Sequence, residues 1–172
     1  MNNLNLKNIA EALIDTFFEA GEIAKKISIE GVKITIKDDK SPVTNADLAV
    51  NDLLKYKIKN LTPKIPIVSE ENVNLSSVNL GKNFWLIDPI DGTRDYIKKR
   101  DEYTLNAALI LNLYPAIGVI YAPAKNRLFF SYDKERAFEI SNNKKIGLNC
   151  KKKIKNKIIA LVNSDKVHKE KR

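Results

Sequence analysis

Trp85-Leu86-Ile87-Asp88-Pro89-Ile90-Asp91-Gly92-Thr93 joins an apolar run directly to two acids. Phe84 to Ile87 has the length and apolar character of a buried strand. The run ends in Asp88 and Asp91, three residues apart, with Pro, Gly and Thr around them. Carboxylates at the end of a buried strand are costly unless neutralised, and a metal ion is the usual neutraliser. Gly92-Thr93 opens a short candidate helix, whose first N–H groups and positive dipole end suit a phosphate. Upstream, Ser69-Glu70-Glu71 supplies more acid after another short apolar segment. Metal-binding acids beside a phosphate cradle fit Mg²⁺-dependent phosphate chemistry.

Composition narrows the alternatives. The only histidine is His168 and the only cysteine Cys150. Catalytic triads, Cys/His dyads and ordinary zinc sites need more of these residues. Hard oxygen ligands remain: Asp, Glu, Thr and backbone carbonyls, which suit Mg²⁺ or Mn²⁺. A lone cysteine forms no internal disulfide and is compatible with a reducing cytoplasm. No apolar run reaches the roughly 20 residues of a membrane span. No secretory signal is recognisable, so a cytoplasmic location is expected, peripheral membrane association remaining open.

The net charge of +9 is concentrated at the end of the chain. Residues 151–172 carry nine Lys/Arg and two acids, and the first 150 residues are nearly balanced. A terminal basic run is usually a solvated tail, and no nucleic-acid-reading motif accompanies it, so nucleic acid is not the expected partner.

Leu6, Ile9, Leu13, Phe17, Ala24 and Ile27 recur at helical spacing and predict one long amphipathic helix with a buried stripe. Val32 to Ile36 alternates as a half-buried strand does. Lys37 to Pro42 reads as a polar loop. Thr44-Asn45-Ala46-Asp47 resembles a capped helix start, with Asp in place of the usual Glu, and that helix stops near Thr62-Pro63. Pro66–Val68 is a short buried strand. Leu105–Leu111, Ala116–Tyr121, Arg127–Tyr132 and Ala137–Ile140 read as strands at hairpin-like intervals. Residues 142–157 read as a linker or long loop, and Ile158–Val162 as a further strand. Helices followed by a largely antiparallel sheet give an α+β class.

The spacing of the two aspartates argues against a covalent aspartyl intermediate, which would call for Asp-x-Asp. A metal-activated water fits better. Lys40-Ser41-Pro42-Val43-Thr44-Asn45-Ala46-Asp47, Ser69-Glu70-Glu71, Trp85 to Ile97 and Gly118 to Pro123 together resemble the inositol monophosphatase superfamily of Mg²⁺-dependent, lithium-sensitive phosphatases. Ser69, Arg94 and Tyr121-Ala122-Pro123 resemble its bisphosphate nucleotidase branch, which converts 3′-phosphoadenosine 5′-phosphate to AMP. The resemblance implies a layered α/β sandwich, with long helices packed on a largely antiparallel sheet.

It also implies roles. Glu70, Asp88 and the Ile90 carbonyl would hold one metal ion, and Asp88 with Asp91 part of a second. Two or three Mg²⁺ ions are implied, with Mn²⁺ as an alternative. Thr93 with Glu70 would orient and deprotonate the attacking water, supported by Asp47, for which a plain capping role is the alternative. Gly92 and Thr93 would receive the phosphate, with Asp91, Arg94 and Lys40 also at the substrate. Arg94 stands where the superfamily usually has Lys, which keeps charge and changes hydrogen-bond geometry.

The superfamily continues into a second domain, to which residues 151–172 would contribute only a start. Residues 1–150 would form the metal- and phosphate-binding domain, so the chain looks truncated. The expected function is that of a Mg²⁺-dependent phosphomonoesterase acting on a nucleotide bisphosphate. An inositol or sugar monophosphatase is the alternative within the superfamily, and a catalytically dead metal- or nucleotide-binding remnant is another. A complementing C-terminal chain, or a second copy, is the expected protein partner.

Overall fold

A computed structural model describes residues 4–72, 81–134 and 136–149. Its helices are α1 (Leu6–Ala12), α2 (Ile14–Glu30), α3 (Asn45–Leu61) and α4 (Thr93–Ile97). Its strands are β1 (Ile34–Ile36), β2 (Pro42–Thr44), β3 (Ile67–Ser69), β4 (Phe84–Asp91) and β5 (Thr104–Leu111). The remaining strands are β6 (Tyr114–Ala122), β7 (Arg127–Tyr132), β8 (Ala137–Ser141) and β9 (Lys144–Leu148).

Strands β3 to β9 lie in one seven-stranded sheet in chain order. Among the described residues the β3–β4 pair alone is parallel; the pairs from β4 to β9 are antiparallel. Helices α1, α2 and α3 cover one face. Leu13, Phe17, Val50, Leu54 and Ile58 from the helices, and Trp85, Leu105, Leu109, Val119 and Leu128 from the sheet, are fully buried in one core. Two-residue alternation puts Leu86, Asp88, Asn106 and Ile120 on the opposite face. Among the described residues no helix covers that face, and Leu86 and Ile120 remain exposed on it.

The expected single N-terminal helix is two. Leu13 ends α1 with its N–H on the Ala10 carbonyl, a tightened turn, and the apolar stripe continues into α2. The half-buried strand expected at 32–36 is instead fully exposed at Ile34–Ile36, because β1 pairs only with β2 in a separate two-stranded hairpin. The stretch read as a linker contains β9. Asn142 and Asn143 both take left-handed conformations, the geometry of a tight hairpin turn, and return the chain onto β8. The expected boundary at residue 150 and the expected strand at 158–162 lie outside the described residues. Among those residues no helix is long and apolar enough to cross a membrane.

Candidate active site

The acids converge on one end of the sheet by register. Ser69 pairs with Ile87 across the parallel β3–β4 ladder, so Glu70 and Asp88 leave their pairs side by side. Buried links fix that ladder: the Ser69 hydroxyl donates to Asn51 Oδ1 on α3 at 2.6 Å, and the Trp85 indole donates to Thr62 Oγ1 at 2.9 Å.

The strand expected to end at Ile87 runs on through both acids: Asp88 and Asp91 belong to β4 itself. Residues an odd number apart in a regular strand face opposite ways. Here Asp88 pairs with Asn106 and Asp91 with Thr104, so β4 spends one residue more than β5 between these pairs. That bulge contains Pro89 and Ile90, both buried. Proline donates no ladder hydrogen bond, and bulges are where sheets admit it. The bulge re-phases the strand and puts both aspartates on the face away from the helices.

Gly92 follows with φ 93°, and a Cβ there would lie 2.8 Å from the Glu102 carbonyl oxygen, so glycine is required. Thr93 then starts α4. Its hydroxyl lies 2.9 Å from the Ile90 carbonyl, to which it donates, and 3.4 Å from Asp47 Oδ1. Asp47 arrives from α3, where it and Thr44 form a reciprocal capping box. The Thr44 N–H and hydroxyl both donate to Asp47 Oδ2. Capping therefore uses one carboxylate oxygen and leaves the other toward Thr93.

Charge at this end is balanced by Lys37, which the sequence reading passed over in favour of Lys40. The Lys37 ammonium, carried by the β1–β2 hairpin, lies 2.8 Å from Glu70 Oε1 and 2.9 Å from Glu71 Oε2. Lys40 is exposed at the hairpin turn, and its N–H donates to the Lys37 carbonyl. Arg94 is likewise exposed. Burial, then the charges of Asp91, Glu70 and Asp47, push the Asp88 carboxyl up to about 6. Burial and the neighbouring Glu70 push Glu71 up to about 7, while hydrogen bonds from Glu71 and Lys37 hold Glu70 low. Burial also raises Asp47, against its hydrogen bonds with Thr44 and Thr93.

Among the described residues, no group of three acids stands close enough to form a ready-made cation cage. Glu70, Asp88 and Asp91 are brought to one end without closing into such a set. Lys37 takes up Glu70, and Asp47 is engaged by Thr44, which is how a cluster of like charges relaxes. The donor set still fits a hard divalent ion that keeps some of its waters: carboxylates and a backbone carbonyl to ligate it and, beside them, the buried side-chain oxygen Asn106 Oδ1, which has no hydrogen-bond partner among the described residues. Asn106 is a site residue that sequence reasoning missed. Its only signal was a polar position in an alternating strand, whose alignment with Asp88 depends on register.

Residues 5–172 match the profile of the Inositol monophosphatase family. The chain belongs to that family. It is 34% identical over 126 residues to the 3′(2′),5′-bisphosphate nucleotidase CysQ of Aggregatibacter actinomycetemcomitans, an alignment covering 72% of this chain and 47% of that protein. The crystal structure of CysQ from Bacteroides thetaiotaomicron superimposes with a TM-score of 0.66 at 37% identity, covering 81% of this chain and 51% of that one. An IMPase/NADP phosphatase complexed with Mg²⁺ and phosphate shares the fold, with a TM-score of 0.69 at 21% identity over 78% of this chain and 51% of that one. This inositol monophosphatase family chain spans about half the length of these relatives.

Proposed function

We propose that the chain provides the metal- and phosphate-binding part of a Mg²⁺-dependent phosphomonoesterase of the 3′(2′),5′-bisphosphate nucleotidase type. The observation that carries the reading is the bulge-set pairing of Asp88 and Asp91 beside Glu70, with Thr93 held between Asp47 and the Ile90 carbonyl. Similarity to CysQ proteins supports the nucleotide branch.

Glu70, Asp88, Asp91 and the Ile90 carbonyl would hold divalent ions, two or three Mg²⁺ or Mn²⁺. Bound there, such ions lower the pKa of water and offset charge on a phosphoryl group. Thr93 would orient the attacking water and Glu70 would take its proton, with Asp47 Oδ1, 3.4 Å from the Thr93 hydroxyl, supporting Thr93. The Gly92 and Thr93 amides begin a helix turn and receive the phosphate. Arg94 and Lys40, both exposed, supply positive charge for a second phosphate. The sheet face that no described helix covers supports a protein partner, either a complementing chain or a second copy.

The deciding assay compares kcat/KM for 3′-phosphoadenosine 5′-phosphate and inositol 1-phosphate at equal Mg²⁺, with Arg94→Ala as control. The nucleotide is expected to be preferred, Arg94→Ala to erode that preference, and Li⁺ to lower turnover. A preference for inositol 1-phosphate moves the chain to the sugar-phosphatase branch.

A further inference from the structure

We propose that Asn106 is a positioning residue of this site, holding the Asp91 carboxylate in place for a divalent ion and accepting a hydrogen bond from that ion's water. Asn106 lies on β5 directly across from Asp88, on the face away from the helices. Its Nδ2 sits 3.4 Å from Asp91 Oδ2. An ionised carboxylate only accepts, so the amide NH₂ must face Asp91 and the amide oxygen must point away from it. That oxygen is buried and, among the described residues, has no hydrogen-bond partner.

A buried acceptor without a donor costs on the order of 1–3 kcal/mol, so such atoms call for an occupant that brings a donor. The acids surrounding Asn106 attract cations. Hydrated Mg²⁺ retains several of its waters when bound, and each is a strong donor. With one Asp91 oxygen engaged by Asn106, the other is left for the ion. The two ends of one amide thus serve the ligand and the ligand's water. The assignment rests on the cation reading proposed above and is independent of phosphatase turnover.

The test titrates Mg²⁺ into the full chain by calorimetry, repeated with Mn²⁺ by paramagnetic resonance. Wild type is compared with Asn106→Leu and the smaller Asn106→Ala. A hydrogen-bonding partner of a metal ligand is typically worth about 10–100-fold in affinity, and both variants are expected to lose that much. Without cation, Asn106→Leu is expected to melt at or above the wild-type temperature, because it removes a buried unpaired acceptor. Unchanged cation affinity in both variants overturns the proposal. So does a loss of affinity seen only in variants that already melt earlier without cation, which marks Asn106 as a packing residue. Wild type that binds no divalent cation removes both the metal site and the role of Asn106. Wild type that binds Mg²⁺ tightly but hydrolyses no phosphomonoester sinks the enzymatic reading and leaves the role of Asn106 standing.

Discussion

At the scale of single residues the proposed site divides into ligands and groups that aim them. Asp88 is pushed up by burial and then by the charges of three other acids. Asp88→Asn is expected to abolish divalent cation binding and any turnover with it, read by calorimetry and by phosphate release. Thr93 is different: it touches Asp47 and the Ile90 carbonyl through one hydroxyl. Thr93→Ala is expected to lower turnover by roughly 10²–10⁴-fold, the usual range for a lost proton-transfer group, while cation affinity stays within a few-fold. Near-normal kcat in Thr93→Ala removes it from the chemistry. Most of these residues were legible in the sequence because Asp-Pro-Ile-Asp-Gly-Thr is contiguous. Lys37 and Asn106 were not. The nearer in sequence of the two partners of Lys37, Glu70, lies 33 residues away, and the meaning of Asn106 exists only across the β4–β5 ladder.

At the scale of elements, packing against the sheet leaves little slack. Gly21 on α2 faces the ring of Tyr121, and a Cβ there would fall within 2.2 Å of Tyr121 Cε1. That ring is held edge-on by Phe18 and by its hydroxyl contact with Asn126. Gly21→Ala is expected to destabilise by about 1–3 kcal/mol, the usual cost of overpacking, measured by urea unfolding. A urea unfolding curve like that of wild type would mean α2 moves freely on β6. Helix and strand types were readable from periodicity. The break at Leu13 and the isolated β1–β2 hairpin were not, because a tightened turn and the choice of strand partner leave no periodic trace. The β8–β9 turn was foreshadowed by Asn142-Asn143, but the charged strand behind it imitates a linker.

For the molecule as a whole, two consequences follow from what is covered and what is not. Leu86, Ile120 and Ile146 remain 42–52% exposed on positions that register assigns to the face away from the helices. Apolar faces of this kind favour association. The folded chain is expected to bind an apolar dye and to run above its 19.5 kDa monomer mass in light scattering. A dye-silent monomer would mean the face is stable uncovered. The buried tyrosines supply the second consequence. Tyr96 donates to the Ala24 carbonyl at 2.6 Å and packs edge-on against Tyr103. Burial raises both phenols, Tyr103 to about 12. The unfolded chain releases such protons near pH 10, before the folded chain does, so their contribution is intact below pH 10 and is lost as pH rises toward 12. Melting temperature is expected to fall across that window, and Tyr103→Phe to flatten the fall. An unaltered slope in Tyr103→Phe would remove that phenol from the alkaline transition.

The bulge in β4 has one more consequence, for how this chain can fail. Strand slippage is quantised: the smallest shift that keeps a side chain on its own face is two residues, roughly 6.6 Å. Coordination around Mg²⁺ tolerates only tenths of an ångström. No slipped register therefore leaves a slightly weakened site; it leaves none. Were β4 to keep Pro89 and Ile90 but pair regularly, without the bulge, Asp91 would face the apolar core, where an ion could not follow. The site is digital, present or absent, and variation in its affinity has to come from the side chains that aim the ligands rather than from the sheet that carries them.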